Sequence, residues 1–125
     1  MDSLSSDQYE FIDLGSHSED PVDYPDIASK MGELFMKEHI KTGILVCGSG
    51  IGISIAANKV KGIRAALCFT KEHAEMSRRH NDSNILALGA RMKGGDKILD
   101  IVNIWLETKF EGDRHQRRIE RIEMI

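Results

Sequence analysis

Short apolar runs closed by glycine or cysteine alternate with stretches whose apolar residues recur at helical spacing. The runs are Gly43–Cys47 (GILVC), Ile63–Cys68 (IRAALC) and Ile85–Leu88 (ILAL), the last stopped by Gly89. Each is continuous rather than alternating in polarity, which predicts strands buried on both faces of a parallel sheet. Upstream, residues 9–14 (YEFIDL) alternate as a half-exposed strand and stop at Gly15. Between the runs, Ile27, Met31, Leu34 and Phe35 predict an amphipathic helix from about Asp26 to Glu38. A second helix follows the glycines after Cys47 and ends near Lys61 and Gly62. A third runs from Lys71 to about His80, with Thr70 as its cap and Glu72 and Glu75 near its start. A fourth starts at Gly94-Gly95-Asp96 and buries Ile98, Ile101, Val102 and Trp105. A basic fifth spans Arg114 to Glu123. Residues 16–25 read as a loop, with Asp23 placed to cap the first helix.

Strand and helix therefore alternate along the whole chain, and the fold class is α/β: a doubly wound, Rossmann-like, three-layer parallel sheet. At 125 residues it is a single domain, 1–125, without repeat or linker. The net charge of −3 gives no reason to expect nucleic acid. No apolar run approaches the length of a membrane span and the polar start lacks a signal-peptide core, so a cytoplasmic protein is expected. Cys47 and Cys68 both end apolar runs; reduced thiols are expected over a disulfide.

Ligands of parallel sheets bind beyond the carboxyl ends of the strands. There the sequence reads Cys47-Gly48-Ser49-Gly50-Ile51-Gly52, then helix. Glycines let a ligand approach the backbone, and the first helical N–H groups suit an anion. The loop lacks the Lys-Ser/Thr of a nucleotide P-loop, and its glycine spacing and missing acid exclude a dinucleotide fingerprint. A tight turn without a ligand remains compatible with spacing alone. Arg114 and Arg118 lie one helical turn apart and share a face suited to a phosphate. His17, His39, His73 and His115 show no metal-binding spacing, and the first three are expected at the surface. Arg117 and Arg121 are expected to pair with Glu111, Glu120 or Glu123.

Several separated segments, GILVCGSGIGISIAANKVKGIRAALC, RRHNDSNILALGARM and FEGDRHQRR, together with FIDLG and VDYP, occur in one order and spacing. In this the chain resembles ribose-5-phosphate isomerase B and its sugar-phosphate isomerase relatives, from about Glu10 to the end. The resemblance implies interconversion of ribose 5-phosphate and ribulose 5-phosphate through a cis-enediolate, in the non-oxidative pentose phosphate pathway, without cofactor or metal. It implies Cys47 as the base, His80 as the acid for ring opening, and Ser49 as an aid to proton transfer. Gly48, Ser49, Gly50, Ile51 and Gly52 would form the anion hole. Asn81 would hydrogen-bond the sugar, Arg114 and Arg118 would hold the phosphate, and Arg91 would assist them. It also implies a homodimer or dimer of dimers, with residues 113–125 reaching the partner's cysteine loop.

Alternatives are an isomerase of galactose or allose 6-phosphate, or a non-catalytic sugar-phosphate-binding homologue. The last arises because the family's first strand, with its Asp-His segment, and the helix after it have no counterpart here. Met1 is accordingly expected to be an internal methionine of a longer frame, with a true short form as the other reading. A further departure is FTKEHA after Cys68, where relatives often carry Pro-Tyr.

Overall fold

The computed structural model describes residues 24–125. The expected strand at 9–14 and the loop with Asp23 lie outside them. The elements are α1 (Tyr24–Met36), β1 (Gly43–Cys47), α2 (Ile51–Ala57), β2 (Ala65–Leu67), α3 (Lys71–Arg79), β3 (Ile85–Gly89), α4 (Ile98–Glu107) and α5 (Arg114–Glu123). The three described strands form a parallel sheet of order β1-β3-β2. Gly43 stands opposite Ile85, and Cys47 opposite Gly89.

As the continuous apolar runs predict, the sheet is covered on both faces. On one side Ala28 and Met31 of α1 and Ile53 and Ala57 of α2 pack with Leu45, Ile85 and Ala87. On the other, Ala74 of α3 and Ile101, Val102 and Trp105 of α4 pack with Leu86 and Leu88. β3 has neighbours on both edges and both faces, and Ile85 to Leu88 are all buried.

Several boundaries shift from the sequence expectation, each for a local reason. α1 closes with Glu38 in the left-handed region, where Glu38 N–H donates to Phe35 and His39 N–H to Leu34. This is a Schellman-type stop built on a residue other than glycine. α2 ends at Ala57 because the Asn58 amide exchanges two hydrogen bonds with the Ala65 backbone, at 2.8 and 3.0 Å, and so acts as a neighbour to the edge strand. β2 is shorter than expected because Arg64 N–H is taken by the Asn84 side chain. The segment Gly94-Gly95-Asp96 does not start α4. Asp96 instead accepts from the Lys71 N–H at 2.7 Å and donates its own N–H to Phe69, docking the segment on the start of α3. Thr70 caps α3 as expected, accepting from His73 N–H.

The end of α3 is fixed by a buried polar knot. Trp105 Nε1 donates to Ser83 Oγ at 2.8 Å, and Ser83 Oγ contacts Ser77 Oγ at 2.9 Å. Arg78 lies over the Trp105 ring and donates to the Ser83 carbonyl. Helices α3 and α4 are thereby tied to the entry of β3. Cys68 is buried beside Ser77, and burial pushes its thiol up to about 11, as suits a structural cysteine. Both thiols are free. Among the described residues no helix is long and apolar enough to cross a membrane.

Ser83→Ala leaves the buried Trp105 N–H without its acceptor. We expect a loss of about 1–3 kcal/mol, measured by denaturant unfolding, since a stranded buried donor carries its full desolvation cost.

Candidate active site

Cys47 ends β1, half-buried, with its carbonyl accepting Ala90 N–H at 2.8 Å. Gly48 accepts from Arg91 N–H at 2.9 Å, so the cysteine loop and the turn after β3 are stitched together. Two glycines make this possible. Gly50 has φ +80°, and a side chain there would meet the Leu88 backbone at 2.8 Å. A Cβ on Gly89 would lie 2.3 Å from the Ser49 carbonyl oxygen. The loop is thus laid directly across the end of β3.

Ser49 Oγ accepts the Ile51 N–H at 3.2 Å, and Gly50 accepts the first helical bond from Ser54. The next N–H groups, of Gly52 and Ile53, have no acceptor within a helix. The loop can therefore offer backbone donors to an oxyanion beside a thiol. The Arg91 side chain runs over Gly48, where its Cδ would lie 3.5 Å from an added Cβ.

The remaining expected residues gather elsewhere. α3 leaves the carboxyl end of the sheet and returns to the amino end, where Asn84 accepts Gly43 N–H. His80 closes α3, followed by exposed Asn81. His80 Nε2 lies 3.4 Å from Glu111, and its ring stacks on that of His115 with centroids 4.3 Å apart. Arg118 Nη1 lies 3.4 Å from His115 Nδ1, and Arg114 begins the same helix. Cys47 with Arg91, and His80 with Arg114 and Arg118, thus occupy opposite ends of a five-residue strand. That separation is roughly 13–17 Å at strand rise.

His115 was not singled out by sequence, yet it is 6% exposed and central to this cluster. The available signal was its position four residues before Ile119, on the one buried face of an otherwise charged helix. Glu111 and Glu123 also depart from expectation. Glu111 pairs with Arg79 at 3.0 Å, and Glu123 with Arg64, because α5 sits against the end of α3 and the start of β2 rather than folding its acids onto Arg117 and Arg121. His39 and His73 are exposed as expected; His17 lies outside the described residues.

Hydrogen bonding to Arg79 holds the Glu111 carboxyl below its usual range. His115 is pushed below the ordinary histidine value by burial, then by His80, Arg114 and Arg118. His80, Glu111 and His115 offer three donor atoms within 4.8 Å of one another, the spacing of a metal site. The two rings stack nearly parallel, at 17°, and Glu111 is already engaged by Arg79. With Arg114 and Arg118 alongside, the set suits an anion and a proton better than a cation. A groove of about 870 Å³ runs along β2 beneath the C-terminus; it is lined by Arg64, Asn81 and Glu123 among others, and Cys47 does not line it.

The family model described as Ribose/Galactose Isomerase matches residues 1–122. The chain belongs to the ribose/galactose isomerase family. It is 47% identical over 116 residues to ribose-5-phosphate isomerase B of Escherichia coli, covering 93% of this chain and 78% of that one. The fold superposes on ribose-5-phosphate isomerase B of Clostridium thermocellum with a TM-score of 0.91 at 51% identity, covering 98% and 83% of the two chains. The Mycoplasma genitalium ribose-5-phosphate isomerase B, solved with bound ribulose-5-phosphate, superposes at 0.89 with 40% identity over 98% and 82%. These family relationships confirm the α/β reading and the sequence resemblance.

Two outcomes follow. Gly89→Ala should cost about 1–3 kcal/mol in an unfolding titration, because the added carbon meets backbone rather than a flexible side chain. Because the folded pKa of His115 lies below the unfolded value, near 6.5, its contribution to stability is complete above that pH. It is lost as pH falls through the folded value. Thermal melts should therefore show wild-type stability declining below about pH 6.5, with a shallower decline in His115→Phe.

Proposed function

We propose that this chain is an aldose–ketose isomerase interconverting ribose 5-phosphate and ribulose 5-phosphate. The observation that carries the reading is the pairing of two half-sites in one family fold: a thiol beside a glycine loop, and a histidine beside an arginine face. Each supplies what the other lacks.

In the proposed reaction His80 gives a proton to the furanose ring oxygen as its bond to C1 breaks, the C1 hydroxyl proton leaves to solvent as the aldehyde forms, and Asn81 steadies the sugar by hydrogen bonding. The Cys47 thiolate then takes the proton from C2 of the open aldose and returns it to C1 of the enediolate. The carbonyl moves from C1 to C2, and one hydroxyl proton passes between the two oxygens, a transfer suited to Ser49. Backbone N–H groups of the Gly48–Gly52 loop, other than that of Ile51 held by Ser49 Oγ, would face the developing oxyanion. Arg114 and Arg118 hold the phosphate, with Arg91 contributing from the cysteine side.

Since the two half-sites stand a strand length apart, the proposed active unit contains two copies of the chain. Cys47 of one copy works with His80, Arg114 and Arg118 of the other. A symmetric dimer would carry two such sites.

Complementation tests both parts. Cys47→Ala and Arg118→Ala should each abolish nearly all turnover of ribose 5-phosphate. Co-refolded in equal amounts, they should regain roughly a quarter of wild-type activity, since half of randomly paired dimers then carry one intact site. No recovery would place each site within one copy. Turnover of galactose or allose 6-phosphate in preference to ribose 5-phosphate would reassign the substrate.

A further inference from the structure

His115 is a buried titratable side chain that the proposed reaction leaves without a task. α5 buries only two residues, His115 and Ile119, one helical turn apart. An aliphatic residue at position 115 would fill that space without the cost of desolvating an imidazole. The imidazole makes two contacts that no aliphatic side chain makes. Its face carries the ring of His80, with centroids 4.3 Å apart at 17°. Its Nδ1 lies 3.4 Å from Arg118 Nη1.

Arginine has donors only, so Nδ1 must be the acceptor in that contact. This fixes the tautomer as the neutral ring with its proton on Nε2. We propose that His115 is a positioning residue that locks His80 and Arg118 into one unit, setting the ring-opening acid by stacking and the phosphate clamp by hydrogen bonding. The inference rests on the isomerase reading for the roles of His80 and Arg118, and on geometry alone for the coupling between them.

The charged surroundings agree with a neutral His115. His80 faces it from the end of α3, and Arg114 and Arg118 flank it on α5. Glu111, from the connection between α4 and α5, is the one opposing charge among the described residues and is itself held by Arg79. Protonation of His115 would turn the acceptor into a donor and set a cation against Arg118. The clamp would open and the stack would lose its neutral partner. Below the ordinary histidine range the full chain should therefore bind phosphate less tightly.

Two substitutions separate the contacts. His115→Phe keeps a stacked ring and removes the acceptor. His115→Asn keeps an acceptor near the Nδ1 position and removes the ring. For His115→Phe we expect KM for ribose 5-phosphate and Kd for inorganic phosphate to rise about tenfold, the effect of losing one hydrogen bond to a charged group, with kcat within about twofold. For His115→Asn we expect phosphate affinity within about threefold of wild type and kcat at least tenfold lower, because the acid is no longer held in line. The acid-side rise in KM of the wild type should be absent from His115→Phe.

Equal changes in KM and kcat in both variants, or none in either, would make His115 a space-filler and overturn the proposal. If a variant fails to fold, nitrogen-15 spectra of the wild-type rings decide the point. At pH 6.5, where an ordinary imidazole is half-protonated, His115 should be predominantly the neutral Nε2–H form. A mainly cationic ring or an Nδ1–H tautomer there would refute the proposal. Absence of isomerase activity in the wild type would sink the functional reading alone, because phosphate affinity and ring tautomer report on His115 without turnover.

Discussion

The parallel pairing of β1 with β3 governs everything else in this molecule. With Gly43 opposite Ile85 and Cys47 opposite Gly89, both strands deliver their carboxyl ends to the same edge. The cysteine loop then has one place to go, across the end of β3, and it fits only because Gly89 has no side chain and Gly50 adopts φ +80°. The same parallel order obliges α3 to run back to the amino end before β3 can begin. His80 is carried there with it. A single constraint of chain direction thus separates Cys47 and its glycine loop from His80 and the α5 arginines.

That separation is made rigid rather than left to chance. The Ser77–Ser83–Trp105 hydrogen bonds and the Arg78 guanidinium over the Trp105 ring fix the end of α3 against α4. Asp82, in the left-handed region, turns the chain out of α3, and the Arg64 guanidinium grips its carbonyl while pairing with Glu123 at the end of α5. Arg79 and Glu111 close the opposite end of the same helix. α5 contributes little apolar burial beyond Ile119, so these ion pairs and the His80–His115 stack set its orientation. In a partly buried setting such contacts specify position more than they add stability.

The two cysteines show how one residue type is sorted by its surroundings. Cys68 is enclosed by α3 and α4, and its thiol is held in the neutral form by burial. Cys47, at the carboxyl end of an edge strand among the described residues, is half-exposed beside backbone donors. Solvent can reach the first thiol only poorly and the second in part.

The sequence by itself determined the fold class, the strand directions and most element positions, because runs such as ILAL and the helical spacing of Ile98, Ile101, Val102 and Trp105 are local patterns with one economical burial. Cys47 with its glycine loop stood out by position, and Arg114 with Arg118 by helical spacing, whereas His80 was marked only through the resemblance to the family. What the sequence left open were contacts between residues distant in the chain. Asn58 standing in for a strand neighbour, Asp96 docking on α3, Glu123 reaching Arg64 and His115 lying under His80 all depend on where separate elements meet. No periodicity encodes such meetings. The division of the candidate site between the two ends of the sheet, which the resemblance implied only as a C-terminal segment reaching a partner's cysteine loop, has its physical reason in the tertiary structure, since parallel pairing converts a modest separation in sequence into the full length of a strand.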